Sequence, residues 1–425
     1  MKRRRTAARR RPFRTFFADL GPGLITGAAD DDPSGISTYS VAGATFGYAP
    51  LWTAVLSFPL MAAVQLMCAR LGLVTGLGLA GVIRRRYSRW VLWGACALLI
   101  VANVINIAAD LAGMAAATRM ITGVRAALWV PVYSVAIVVL LLWSSYRRIA
   151  SVFKWLTLAL LAYVATAFVA HVDWRAALTA TVVPRVEFSR RFFAVVEAIF
   201  GTTISPYLFF WQAAQEVEEE RALGRNLVQR RGATDEELSS ARTDVVTGMF
   251  ASNAVMYFII LTTAATLHAH GTRTIATAQQ AAEALRPLAG AGAFWLFAAG
   301  LIGTGILAVP VLAGSCAYAV AEAAAWRGKS LERRPRRAKK FYFVIAASMA
   351  IGLALNYFQF NAIRMLFFSA ILNGALAPPL MLIIVLLTSD KRVMGSAVNS
   401  RALAILGWLA FAVMAAASFG LLFAS

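Results

Sequence analysis

Runs of about 20 apolar residues recur along the chain, each long enough to cross the hydrocarbon core of a bilayer as a helix. Eleven are read: 17–47, 51–71, 91–112, 127–143, 151–172, 192–215, 245–268, 294–323, 341–357, 365–387 and 402–423. The first is interrupted by polar residues, and so is the sixth. Elsewhere the polar residues gather in connectors. The longest connectors, 216–244 and 326–340, are too short for a separate domain. Composition agrees with this pattern. Of 425 residues, 60% are hydrophobic and 14% charged, which predicts an all-α polytopic membrane protein.

Charge adds an orientation. The net charge is +21, but the basic residues lie in short connectors between apolar runs, so a nucleic-acid partner is not expected. With the N-terminus in the cytoplasm, 32 of the 41 Lys and Arg residues fall on the inner side. The bias keeps one sign at almost every loop, as the positive-inside rule requires. It predicts a multi-pass protein of the cytoplasmic membrane with its C-terminus external. Arg10, Arg11 and Phe13 loosely resemble a twin-arginine export signal, but no convincing cleavage site follows. Cys68, Cys96 and Cys316 each stand alone in apolar sequence, so neither disulfides nor a zinc site is indicated.

The interruption of the first span carries the chemistry. Asp30, Asp31 and Asp32 precede Pro33, Ser34 and Gly35. One carboxylate at the bilayer centre costs roughly 2.5–3.5 kcal/mol on insertion scales, so three in succession imply a use. Proline and glycine break the helix and free backbone carbonyls. Anionic side chains beside loose carbonyls describe a cation site. The sixth span is broken in the same way, at Gly201-Thr202-Thr203-Ile204-Ser205-Pro206-Tyr207. Five spans separate the two breaks, an odd number, so a second repeat would be inserted upside down. Paired breaks of this kind mark the binding site of transporters built on inverted repeats. Pro59, Pro310, Pro378 and Pro379 are read as kinks.

These residues resemble the Nramp family of divalent metal transporters, and most closely its magnesium-transporting branch. Gly21-Pro22-Gly23-Leu24-Ile25-Thr26 leading to Asp32-Pro33-Ser34-Gly35 is similar to the GPG…DPGN motif of the family's first helix. Residues 201–207 resemble its sixth-helix GATVMPH motif. Ala109-Asp110-Leu111-Ala112 resembles a third-helix ADLAE-like segment. The resemblance implies a LeuT-like fold of 11 transmembrane helices, with ten core helices in two inverted repeats of five and one peripheral helix. The division expected is a basic segment over 1–16, a core over 17–390 with repeats at about 17–172 and 192–390, and a peripheral span over 402–423.

The departures from the motifs bear on selectivity. Gly35 stands at the family's metal-binding asparagine, and Ser205 at its methionine. Loss of the thioether leaves oxygen ligands, which suit hard ions such as Mg²⁺ or Mn²⁺. The smaller side chains also imply a roomier cavity for a partly hydrated Mg²⁺. Tyr207 replaces the motif histidine, and Gly113 a glutamate of proton-coupled members. Uncoupled transport is therefore expected, and a dication gains about 4.6 kcal/mol from a 100 mV potential. The alternative is proton-coupled Mn²⁺ or Fe²⁺ transport, with Asp110 and the extra acids as relay.

The expected metal residues are Asp32 and Asp31, with Gly35, the Thr202 carbonyl and Ser205 at the two breaks. Asp30, Ser34, Thr203, Asp110 and Glu197 are candidates for the vestibule or for contact with ion-bound water. Successive helical residues point about 100° apart, so the three acids cannot share one direction. Asn103, Asn106 and Asp110 share a face of the third span, read equally as a polar seam or a permeation path. Asn373 and Gln212 carry the same ambiguity more weakly. His268 and His270 are read as interfacial, and Glu216, Glu218, Glu219 and Glu220 as a solvated helix end. An amino-acid carrier is disfavoured by the acids at the break. An intramembrane enzyme is disfavoured because no HExxH or paired GxGD-type signature occurs. The expected partners are the transported divalent ion and the bilayer, with no cofactor and no obligate protein partner.

Overall fold

A computed structural model of the chain describes residues 22–144, 148–149, 158–225, 232–326, 330–331, 335–358 and 360–423. The basic segment over 1–16, the start of the first span and residues 151–157 of the fifth lie outside the described residues. The helices are α1 (Pro22–Asp30), α2 (Pro33–Phe46), α3 (Trp52–Thr75), α4 (Leu79–Arg86), α5 (Arg89–Thr122), α6 (Ala126–Trp143), α7 (Leu161–Val169), α8 (Trp174–Val182), α9 (Arg190–Thr203), α10 (Pro206–Ala222), α11 (Asp235–Thr263), α12 (Ala293–Ala323), α13 (Lys339–Leu355), α14 (Ala362–Ser389) and α15 (Arg401–Phe423). Among the described residues there is no strand. Among the described residues, nine helical stretches are long and apolar enough to cross a membrane, with α9 and α10 counted as one. The pair α1 and α2 forms the broken first span, and α7 belongs to the fifth.

The two breaks have a common local cause. Pro33 and Pro206 each occupy the first turn of a helix, where the missing N–H costs nothing. The residue before each is forced out of the helical region: Asp32 has ψ 171° and Ser205 ψ 132°. Pro59, Pro131, Pro310, Pro378 and Pro379 lie inside continuous helices instead. Proline alone therefore does not decide where a span breaks.

Several boundaries move from their expected places for visible reasons. Helix α5 continues ten residues beyond Ala112, until Gly123 ends it with φ 72°. Helix α11 begins ten residues before Val245, started by a capping box in which Thr234 and Glu237 satisfy each other's amides. The expected 216–244 connector is thus mostly helix. The fifth span ends at Val169, and the chain then bends by 119° into α8. Asp173 caps α8 through the Ala176 amide, and Trp174, Leu178 and Val182 are exposed on it. Helix α11 finishes in a π-helical turn, Ala264–His268.

Helix α5 is the central post, packed against α6, α12, α13 and α14. The half-helices occupy reciprocal places: α1 lies on α11, and α10 lies on α3. Both contacts are close because small residues face them, the usual way for helices to associate in lipid. A Cβ at Gly27 would sit 2.3 Å from the Gly248 carbonyl, and one at Gly23 would sit 2.6 Å from the Val245 amide. The α1 N-terminus is also tied down, since the Gly23 amide donates to Asp244 at 2.6 Å. In the sixth span Gly201 meets the Ala370 carbonyl of α14 in the same fashion.

Gly27→Ala should therefore push α1 off α11, at the cost of about 1–3 kcal/mol usual for overpacking. The expected result is a lower melting temperature in detergent and faster labelling of a cysteine introduced at Val245. Unchanged values of both would show that the seam is not tight.

Candidate functional site

The first break is organised around Asp32. It is the N-cap of α2, and its Oδ1 accepts the Gly35 amide at 2.8 Å and the Ser34 hydroxyl at 2.7 Å. Its Oδ2 is held more loosely. Asn106 Nδ2 of α5 and the Tyr207 hydroxyl of α10 each lie 3.3 Å from it. The same Tyr207 hydroxyl donates to the Ala29 carbonyl at 3.0 Å, at the unwound end of α1. Three elements, α2, α5 and α10, thus converge on one carboxylate that is 2% exposed.

Asp30 and Asp31 turn elsewhere. Both accept from one hydroxyl, Ser252 Oγ of α11, at 2.6 Å and 3.1 Å. Asp30 Oδ1 is buried and has no partner. The divergence expected from helical geometry is present: Asp32 faces α5 and α10, while its two neighbours face α11. Among the described residues, no Lys or Arg pairs with any of the three.

At the second break the hydroxyls serve the backbone. Ser205 Oγ donates to the Gly201 and Thr202 carbonyls at 2.9 Å and 2.7 Å. Thr203 Oγ1 donates to the Ile199 carbonyl at 3.0 Å, and Thr202 Oγ1 lies 3.1 Å from the Tyr39 hydroxyl. The freed carbonyls of α9 are therefore partly satisfied, each keeping a second lone pair. The room expected beside Gly35 is not open in this arrangement. A Cβ there would meet the Tyr39 ring at 3.3 Å, one turn along the same helix.

The remaining candidates separate. Asp110 stands one turn from Asn106 on α5, fully buried, with no hydrogen bond at either oxygen. Asn103, on the same face, donates to the Leu312 carbonyl at 2.8 Å. Glu197 does not come to the break. It accepts Ser418 Oγ of α15 at 2.7 Å and packs against Gly374 of α14. The acidic run is not a solvated helix end. Glu216, Glu218 and Glu220 are at most 8% exposed. Their partners are Gln212 for Glu216, Arg221 and Ser330 for Glu218, and Arg225 for Glu220. Gln212 also accepts from Thr26 of α1 at 2.6 Å, which links α1 to α10 below the breaks. His268 and His270 each place Nδ1 on a backbone carbonyl, Ala44 and Thr266 respectively. Ser252 and Tyr39 were not anticipated. Ser252 and Asn253 form an adjacent polar pair inside an apolar span, which is the signal that marks them.

Among the described residues, no three His, Cys, Asp or Glu side chains are grouped to hold a metal. The site offers one well-held carboxylate, further carboxylates nearby, hydroxyls, an amide and backbone carbonyls. That is an oxygen-rich environment, the donor set that divalent cations such as Mg²⁺ and Mn²⁺ accept.

Residues 23–424 match the family model described as natural resistance-associated macrophage protein-like, Nramp. A divalent metal cation transporter, MntH, of Mesorhizobium japonicum is 27% identical over 423 residues, covering 97% of this chain and 89% of that protein. A Xanthomonas campestris protein of the same name is 30% identical over 299 residues, covering 68% and 65%. The crystal structure of the Eremococcus coleocola manganese transporter, in complex with an aromatic bis-isothiourea substituted compound, superimposes with a TM-score of 0.77 at 19% identity. It covers 97% of this chain and 87% of that one. The inward-facing form of Mhp1 gives 0.53 at 16%, covering 94% and 88%. These likenesses show the fold, which is LeuT-like with broken first and sixth spans.

Ser252→Ala removes the hydroxyl that Asp30 and Asp31 share. A buried acceptor left without its donor costs about 1–3 kcal/mol, so the variant should melt several degrees lower. Equal melting temperatures would mean that the two carboxyls satisfy each other.

Proposed function

This chain belongs to the Nramp family, and on that premise we propose that it carries divalent metal cations, Mg²⁺ and Mn²⁺, across the cytoplasmic membrane by alternating access without proton coupling. The observation that carries the reading is Asp32. One of its oxygens is fixed by the α2 amide and Ser34, and the other is held at 3.3 Å by two neutral donors. A cation can replace those weak donors without undoing the cap. The Ala29 carbonyl, bound to the same Tyr207 hydroxyl, is the adjacent oxygen that a displaced Tyr207 would release. Thr202 and Ser205 complete the site from the second break, with Ser34 and Thr203 reaching ion-bound water. Asp30 and Asp31 line the approach.

The ion preference follows from what Ser205 lacks. No sulfur faces the break at that position, so a soft or borderline ion gains no special bond. The curated relatives are named for divalent metal cations and a structural relative for manganese, which supports the coarser reading of a divalent ion. Orientation rests on the basic loops, which put the N-terminus inside and the C-terminus outside. The reciprocal packing of α1 on α11 and α10 on α3 supports repeats at about 17–172 and 192–390, with 402–423 as a peripheral span.

One observation favours a second reading, proton-coupled Mn²⁺ or Fe²⁺ transport. Asp110 is buried beside the Asp32 partner Asn106, and both of its oxygens lack hydrogen bonds. A carboxyl in that state is able to accept a proton when an ion leaves. Against it stand Tyr207 and Gly113, where the family resemblance places a histidine and a glutamate.

Proteoliposome uptake tests both readings. Asp32→Ala and Asp32→Asn should reduce Mn²⁺ uptake to background, since removing one partner of a buried charge pair costs about 2–5 kcal/mol. Near-normal uptake would remove Asp32 from the site. Millimolar Mg²⁺ should slow Mn²⁺ uptake in the unmodified protein. If it does not, the hard-ion preference is wrong. Internal pH, followed at clamped potential, should stay at the ionophore control. A metal-dependent fall that Asp110→Asn abolishes would establish the coupled reading instead.

A further inference from the structure

Away from the breaks, a cavity of about 560 Å³ opens where the ends of α3 and α4 meet residues 232–233 and 391–397. Arg85, Arg86, Lys391 and Arg392 line it. An acid stands beside it. Asp390 accepts Arg86 Nε at 2.8 Å and the Arg392 amide at 2.9 Å. The Arg392 amide first, and then Arg86, hold its carboxyl below the ordinary range, so it is ionised and offsets Arg86. Val74 and Val82 supply an apolar wall between the basic groups.

The walls are fixed rather than loose. Arg70 Nη2 donates to the Ala397 and Val398 carbonyls at 2.7 Å and 3.2 Å, and the Gly232 amide donates to the Val74 carbonyl at 2.8 Å. Trp90 lies at the start of α5, directly after α4. It is 80% exposed, with the Arg89 guanidinium 5.7 Å over its ring. Exposed tryptophan at a helix end sits at headgroup level. Basic pockets between spans at that level hold anionic headgroups.

We propose that this cavity binds the phosphate of an acidic membrane lipid, with Lys391 and Arg392 on the phosphate oxygens and the glycerol against Val74 and Val82. Inorganic phosphate shares the chemistry, but it would leave most of the volume empty. Sites that bury a drug-sized group span roughly 300–1,000 Å³, which fits a glycerophosphate. The lipid is favoured also by position, since exposed Trp90, shortly after the lining Arg85 and Arg86 in the chain, points to headgroup level on this side. Bound there, the phosphate lowers the positive potential of a face crowded with Lys and Arg, through which a dication would leave.

The test uses native mass spectrometry of the purified full chain in detergent, with phosphatidylglycerol and phosphatidylcholine in competition. The unmodified protein should retain phosphatidylglycerol in preference. The double variant Lys391→Gln, Arg392→Gln leaves the Arg86–Asp390 pair in place and should lose the preference by about tenfold or more. Equal binding of the two lipids by unmodified protein, or an undiminished preference in a variant with unchanged melting temperature, would overturn the proposal. Retention of added inorganic phosphate without any lipid preference would overturn the choice of lipid. Because the unmodified protein is read directly, the test stands even where the variant fails to fold. Metal uptake plays no part in the readout, so its outcome is separate from that of the transport reading.

Discussion

The structure depends on how a helix can be broken inside a membrane. Lipid offers no hydrogen bonds, so every amide and carbonyl freed by the break needs a partner within the protein. Asp32 meets this demand for α2: one oxygen takes the Gly35 amide and the Ser34 hydroxyl. Ser205 meets it for the other span in the opposite sense, with its hydroxyl donating back to the carbonyls of α9. One break is therefore closed by an anion and the other by a neutral hydroxyl. That asymmetry leaves a carboxylate on the α2 side, where Asp32 is the structural cap and, in the reading proposed above, the seat of the cation.

Everything around the break keeps that carboxylate shielded but not neutralised. Asn106 and Tyr207 approach its second oxygen without carrying charge. The glycine seam packs α1 tightly on α11, and the Thr26–Gln212–Glu216 chain ties it to α10. These are hydrogen bonds and small-residue contacts rather than a large apolar interface. In the transport reading proposed above, such contacts would be exchanged as α1 moves, with α5 as the post.

Much of this was legible in the sequence because the bilayer imposes strong rules. Span number, the two breaks and the divergence of the three acids follow from apolar length, from proline placed beside polar residues and from helical geometry. The helix ends did not follow: α5 and α11 overrun their apolar segments because Gly123 and the Thr234–Glu237 box, not hydropathy, set their limits. Side-chain partners across spans were also hidden. Nothing local says that Ser252 bridges Asp30 and Asp31, that Tyr39 fills the space beside Gly35, or that Glu197 turns to Ser418. The glutamates of α10 look solvated by composition, yet they are buried because Arg221, Arg225 and Ser330 fold over them.

The most direct test of the central claim is anomalous diffraction from crystals of the protein grown with Mn²⁺. The account predicts one peak at coordination distance from Asp32 Oδ2, shared with the Ala29 carbonyl and lost in Asp32→Ala. A peak that lies instead between Asp30, Asp31 and Ser252, and persists in Asp32→Ala, would contradict it.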